Sequence, residues 1–132
     1  MTYLLDTNTC ICYLNGKSER LRRRIESTNL RAMALCSVVK AELFFGLYKS
    51  ERQITNQNKL SDFLSQFASL PFDDAAAQAY GVIRAQLERR GEPIGPNDLL
   101  IAAIAKCHGA VLVTHNLGEF QRVDGLVCED WE

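Results

Sequence analysis

The chain has no apolar run long enough to cross a bilayer, and its first fifteen residues lack the basic start of a secretory leader. It also has no surplus of positive charge: 15 Lys+Arg stand against 16 Asp+Glu, for a formal net charge of −1. Proteins that grip nucleic acid over a long footprint carry a basic excess, because phosphate neutralisation supplies their affinity. A polyanion partner would therefore have to meet a local basic patch, a metal ion, or both. Neither GxGxxG nor a complete phosphate loop GxxxxGK[ST] occurs (Gly16-Lys17-Ser18 has Ile11 where the leading glycine would stand), which argues against a nucleotide-binding module. The five cysteines (Cys10, Cys12, Cys36, Cys107 and Cys128) are odd in number and irregular in spacing, so no disulfide framework is expected. They point to a reducing, cytoplasmic setting. Cys10-x-Cys12 lacks the wider gap usual between structural zinc ligands, and only His108 and His115 add further soft donors. No zinc site is expected.

What is present is a globular composition, 47% hydrophobic and 23% charged in 132 residues, without repeats or low-complexity tracts. Such a chain buries roughly two thirds of its unfolded surface, enough for one core and one domain spanning residues 1–132. Tyr3-Leu4-Leu5 reads as a buried strand ended by Asp6, with a short helix following Thr7 and Asn8 through Cys10–Leu14. Leu21 and Ile25, four apart among charges, mark a surface helix. Ala32–Cys36 is a second buried strand, and Ser37 the expected N-cap of a helix through Val38, Ala41, Leu43 and Phe44. Leu60, Phe63, Leu64 and Phe67 give helical spacing, and Ser69–Phe72 an extended segment before and after Pro71.

A helix starts at Asp74, carries Tyr80, Ile83 and Leu87 on one stripe, and stops at Arg89-Arg90-Gly91. That stripe reads as core rather than as a subunit seam. A rigid turn-rich loop, Gly91–Pro96, leads to an apolar helix opened by Asn97-Asp98 and closed near Gly109. Ala110–Val113 is the clearest strand, and a last one lies near Leu126–Cys128. Strands apolar on both faces alternating with helices predict an α/β fold, a small parallel β-sheet sandwiched by α-helices.

Ligands of open α/β sheets bind at the carboxyl ends of strands. There the chain places Asp6 after the first strand, Glu42 in the helix after the second, Asp98 opening the helix after the proline-rich loop, and Thr114-His115-Asn116 after the best strand. Singly, Asp6 reads as a helix cap, Asp98 as a first-turn acid and Glu42 as a solvated charge. Together they repel, and coexistence calls for a cation. Oxygen-only ligands favour magnesium or manganese over zinc. Such an ion suits phosphodiester hydrolysis, with a plain metal-binding module left open.

Leu5-Asp6-Thr7-Asn8, Ser37…Glu42, Pro93-Ile94-Gly95-Pro96-Asn97-Asp98 and Thr114-His115-Asn116-Leu117-Gly118-Glu119-Phe120, in this order, resemble the signatures of the PIN-domain family. More narrowly they resemble the VapC toxins of bacterial VapBC toxin–antitoxin systems, and the likeness extends to Glu129-Asp130-Trp131. The resemblance implies a homodimeric, metal-dependent endoribonuclease acting on structured RNA such as tRNA and inhibited by a VapB-type antitoxin. Asp6 and Asp98 would hold Mg2+ or Mn2+, Glu42 would ligate it or hold one of its waters, and Asn116 would position a water or a phosphate oxygen. Thr7, Asn8 and Thr114 would be polar supports. The chain departs from the family where many members carry a fourth acid and this one has Asn116. Glu119 is the nearest replacement, although beside core-type Phe120 it reads more simply as an exposed acid.

The basic cluster Arg20, Arg22, Arg23 and Arg24 is a candidate RNA contact, with a solvated helix face as the simpler reading. Two other functions remain open: a catalytically idle PIN-like module binding RNA or protein, and a PIN nuclease of RNA maturation. A phosphotransferase of the haloacid-dehalogenase type is disfavoured, since its second acid would fall at Asn8.

Overall fold

The computed structural model describes residues 1–132, Ile54 by its backbone only. Three short segments, β1 (Tyr3–Leu5), β2 (Met33–Cys36) and β4 (Val111–Val113), form the middle of the sheet. Leu4, Leu5, Leu35, Leu112 and Val113 on them are wholly withdrawn from solvent, as strands covered on both faces require. The edges are β3 (Ala68–Leu70) and β5 (Cys128–Glu129), giving the order β3-β2-β1-β4-β5 with every pairing parallel.

The helices are α1 (Thr7–Leu14), α2 (Glu19–Ser27), α3 (Ser37–Lys49), α4 (Gln53–Leu64), α5 (Asp74–Arg89), α6 (Pro96–Cys107) and α7 (Leu117–Phe120). Their ends follow local chemistry. Ser18 caps α2 by accepting from Leu21 N, and Asp73 caps α5 by accepting from Ala76 N. Pro96 occupies the first turn of α6, where its missing N–H costs nothing. Gly91 and Gly109, at φ +67° and +62°, take the left-handed conformation that turns the chain out of α5 and α6. The middle of α6, Ile101–Ala105, is buried all round, because α5 and α3 both pack on this helix.

Three expectations need correction. Ser37 is the first residue of α3, not its cap; Cys36 holds the cap position without a side-chain hydrogen bond. Phe67 lies beyond α4, joining the core from the turn before β3 and meeting Phe63 edge-on at 5.0 Å. A short helix, α7, occupies a segment where none was expected. Ile83 and Leu87 are core residues, as their spacing predicted.

The strand order places the site. Successive crossovers run from β1 through β2 to β3, and the chain then returns to β4 on the other side of β1. The carboxyl ends of β1 and β4 therefore flank the point where the winding reverses, and a crevice opens there. The contact between α3 and α6 brings the residues following β2 and those preceding β4 to the same crevice.

Candidate active site

Asp6 is the residue that leaves β1. Its backbone is extended (φ −78°, ψ 173°), and it caps α1 with Oδ1 accepting from Thr9 N at 2.8 Å. Oδ2 accepts from the Thr114 hydroxyl at 2.5 Å, across the β1–β4 boundary. Only 5% of Asp6 is exposed, and burial raises its pKa, against which the Thr114 and Thr9 hydrogen bonds work. Thr114 is fully buried, and its oxygen also accepts from Asn116 N at 2.9 Å. One threonine thus fixes both the acid after β1 and the turn after β4.

Glu42, half-buried on α3, accepts from the Thr7 hydroxyl at 2.6 Å, so the residue after Asp6 ties α3 to the same crevice. Asp98 lies in the first turn of α6, half-buried, and its pKa is pushed up to about 7. Burial is the main cause; the negative charges of Glu119, Asp6 and Glu42 add to it. Asp98 therefore feels the other three carboxylates.

Glu119 corrects the sequence reading. It is not a free surface acid: Oε1 accepts from Gly95 N at 2.6 Å and Oε2 from Asn116 Nδ2 at 2.8 Å. Burial alone would raise its pKa, but the Gly95 and Asn116 hydrogen bonds and one from Asp98 hold it below the usual carboxylate range. A Cβ built on Gly95 would touch both Glu119 Oε1 at 3.6 Å and Asp98 Oδ2 at 3.7 Å, so the two acids meet over the start of α6. The available signal was the spacing Asn116-x-x-Glu119, which puts both on one side of a helical turn. Phe120 misled because neighbours along a helix face different ways, so its burial says nothing of Glu119.

Asn8 is exposed in the first turn of α1. The arginines of α2 are mostly engaged by carboxylates and carbonyls. Arg22 pairs with Glu19 and, at 3.2 Å, with Glu26; Arg23 pairs with Glu19 at 3.2 Å. Arg24 lies 4.6 Å over the Trp131 ring and 3.6 Å from Glu129, while Arg20 donates to the Glu132 carbonyl at 3.0 Å. Arg20, Arg23 and Arg24 line, with Trp131, an open groove of about 590 Å³. His115 Nδ1 lies 2.9 Å from Asp130 Oδ2 at the surface. That contact raises the pKa of His115.

The donors facing the crevice are oxygens only, which suits a hard divalent ion. Burial first, and then the carboxylates around it, push Asp98 up to about 7, and a cation would answer that crowding. Asp6, Glu42 and Asp98 do not bring their oxygens within 4.8 Å of one another. Waters retained by magnesium would fill such a gap, since that ion dehydrates reluctantly.

The PIN domain family model matches residues 3–126, and the chain belongs to the PIN-domain family. Its similarity within that family is to the VapC ribonucleases. The tRNA(fMet)-specific endonuclease VapC of Salmonella typhimurium is 40% identical over 131 residues, 99% of this chain and 98% of that protein. Ribonuclease VapC2 of Rickettsia felis is 39% identical, covering 100% of this chain and 99% of its own length. The crystal structure of DNA-bound VapBC from Salmonella typhimurium superposes with a TM-score of 0.94, at 40% identity, over 100% of this chain and 99% of the other. VapBC2 from Rickettsia felis, bound to a promoter DNA fragment, gives 0.91 at 38% identity over the whole of both chains.

Proposed function

We propose that this protein is a metal-dependent endoribonuclease, the toxin of a type II toxin–antitoxin pair, with residues 1–132 forming its catalytic domain. The observation that carries the reading is the gathering of Asp6, Glu42, Asp98 and Glu119 around the reversal point of the sheet, where burial and the charges of the other three push Asp98 up to about 7. Asp6 and Asp98 hold Mg2+ or Mn2+ directly, and Glu42 ligates it or one of its waters. When bound, the ion supplies the positive charge that offsets these carboxylates and a phosphate, and it acidifies water.

The chain's own residues do the positioning. Thr114 and the α1 turn lock the Asp6 carboxylate, and Thr7 orients Glu42. Asn116 faces the attacking water or a phosphate oxygen while holding Glu119 in place. Asn8, exposed at the mouth, is a polar support for substrate. Glu119, kept ionised by its Gly95 and Asn116 hydrogen bonds, would be a second anchor for charge.

RNA is the substrate, and the tRNA(fMet) specificity in the name of the Salmonella relative favours a tRNA. The VapBC complexes formed by relatives favour a VapB-type antitoxin as inhibitor. Phe44, Phe45 and Tyr48, exposed together on α3, supply an apolar face for such a partner. The protein acts as a homodimer; Arg20, Arg23 and Arg24 guide RNA along the Trp131 groove, with Arg22 beside them on α2.

The test is incubation of the purified protein with total RNA, with and without Mg2+ or Mn2+, followed by mapping of the new ends. Discrete cuts in tRNA that vanish on chelation and in Asp6→Asn and Asp98→Asn are expected. Cleavage unaltered by Asp98→Asn would overturn the assignment.

A further inference from the structure

The opposite end of α6 from Asp98 carries a second group of donors, of different chemistry. α5 and α6 pack side by side, so the start of α5 meets the end of α6. There the carboxylate of Asp73, the thiol of Cys107 and the imidazole of His108 bring one atom each within 4.8 Å of one another. We propose that these three residues form a second metal site, for zinc or a similar borderline divalent ion, independent of the carboxylate crevice.

Each donor is held by an element that exists for other reasons. Asp73 caps α5 through Oδ1, 3.0 Å from Ala76 N, which leaves Oδ2 for another role. His108 closes α6, and the left-handed Gly109 after it fixes the turn, with Ala110 N donating to Ala105 O at 2.9 Å. Cys107 is half-buried in the last turn, while Asp73 and His108 are exposed, so an ion enters from solvent without unfolding anything. The neighbouring Lys106 does not compete, since its ammonium is taken by the Asp124 carbonyl. Donors mounted on packed helix ends lose little freedom on binding.

The donor set decides the ion. One thiolate, one imidazole and one carboxylate match tetrahedral zinc, with water in the fourth position. At ordinary bond lengths their donor atoms would stand about 3.3–3.6 Å apart, an ångström inside the limit within which they already lie. Binding takes a lone pair from Sγ, a ring nitrogen and a carboxylate oxygen, and releases the Cys107 thiol proton to solvent. Magnesium, which prefers oxygen donors throughout, is excluded from the site by the same chemistry. The sequence reading rejected zinc because it weighed Cys10-x-Cys12. Cys10 is fully buried on α1, and the ligands come instead from residues 34 or 35 positions apart, joined by the α5–α6 hairpin. The site clamps the open end of that hairpin, so its effect is on stability rather than on cleavage.

Cobalt(II) tests this directly, because a thiolate ligand gives a near-ultraviolet charge-transfer band that carboxylates do not. Reduced, metal-stripped full-length protein titrated with Co2+ is expected to develop the band at a single equivalent and to lose it when zinc is added. Cys107→Ser should abolish the band, and His108→Ala, at an exposed position, should weaken binding about tenfold or more while circular dichroism stays unchanged. Asp73→Asn keeps a capping side chain and should weaken binding several-fold. Asp6→Asn and Asp98→Asn should leave the band intact, which separates this site from the nuclease reading. Zinc should also raise the thermal midpoint of the wild type by several degrees and that of Cys107→Ser by none. Absence of the band, its persistence in Cys107→Ser, or undiminished affinity in His108→Ala would each overturn the proposal.

Discussion

The two ends of α6 invite comparison. At its start Asp98 meets Glu119, Asp6 and Glu42 in a half-buried crevice where every donor is an oxygen. At its finish, about 14 Å away along the axis, Cys107 and His108 meet Asp73 in the open. The first cluster is strained by like charge and fixed by threonine and amide hydrogen bonds. The second mixes three donor types and is fixed only by helix ends. One helix therefore carries oxygen donors at one end and a thiol and an imidazole at the other, and the two ends should answer independently to substitution.

The largest expected effect is at the crevice. Asp6→Asn and Asp98→Asn should lower RNA cleavage by about a hundredfold or more, with the thermal midpoint close to wild type. Cys107→Ser and His108→Ala should leave cleavage where it was. A nuclease assay across the four variants would break the comparison if loss at one end followed substitution at the other.

Next comes the support beneath Asp6. Thr114→Val removes a buried hydroxyl that serves both Asp6 and Asn116, and should cost about 1–3 kcal/mol on chemical denaturation, with cleavage reduced in parallel. The same experiment with Thr7→Val, whose partner Glu42 is only half-buried, should give a smaller loss.

The pH response sharpens the contrast further. Asp98 in the folded protein titrates at about 7, above its ordinary 3.8. Between those values the native state keeps a proton that the unfolded chain has released, so stability falls as pH rises from about 4 to about 7. With solvent near this half-buried group the loss should be about 1–2 kcal/mol. Glu119, held low, acts in the opposite sense and only in more acid solution. Magnesium should flatten the fall in the wild type and do nothing in Asp98→Asn, as thermal melts across pH would record.

The smallest effect is expected on α2. Replacing Arg22, Arg23 and Arg24 together should leave stability unchanged, because these pairs are exposed. It should flatten the salt dependence of RNA binding. An unchanged salt slope would return the cluster to a helix face occupied by its own glutamates.

Much of this was legible in the chain. Leu4-Leu5 and Val111–Val113 announce buried parallel strands by being apolar at consecutive positions, and Asp6, Asp98 and Thr114 stand at the element ends where such sheets keep their sites. Glu119 was only half legible: its spacing to Asn116 could be read, but its other partner, Gly95, lies on the far side of α6 in the sequence. The Asp73–Cys107–His108 group escaped for the same reason, since a motif search weighs near neighbours and these donors meet only after α5 and α6 pair. The engagement of the α2 arginines was partly readable from Glu19 and Glu26 at helical spacing, while the Trp131 and Glu132 contacts were not.

Periodicity, end signals and the order of acids were thus determined by the sequence itself, because they depend on local backbone preferences and on how side chains alternate along a strand or helix. Which acids share a proton, which hydroxyl holds which carboxylate and which thiol finds an imidazole were decided by tertiary structure alone. Those are distances of a few ångströms between groups far apart in the chain, and only the winding of helices about five parallel strands sets them.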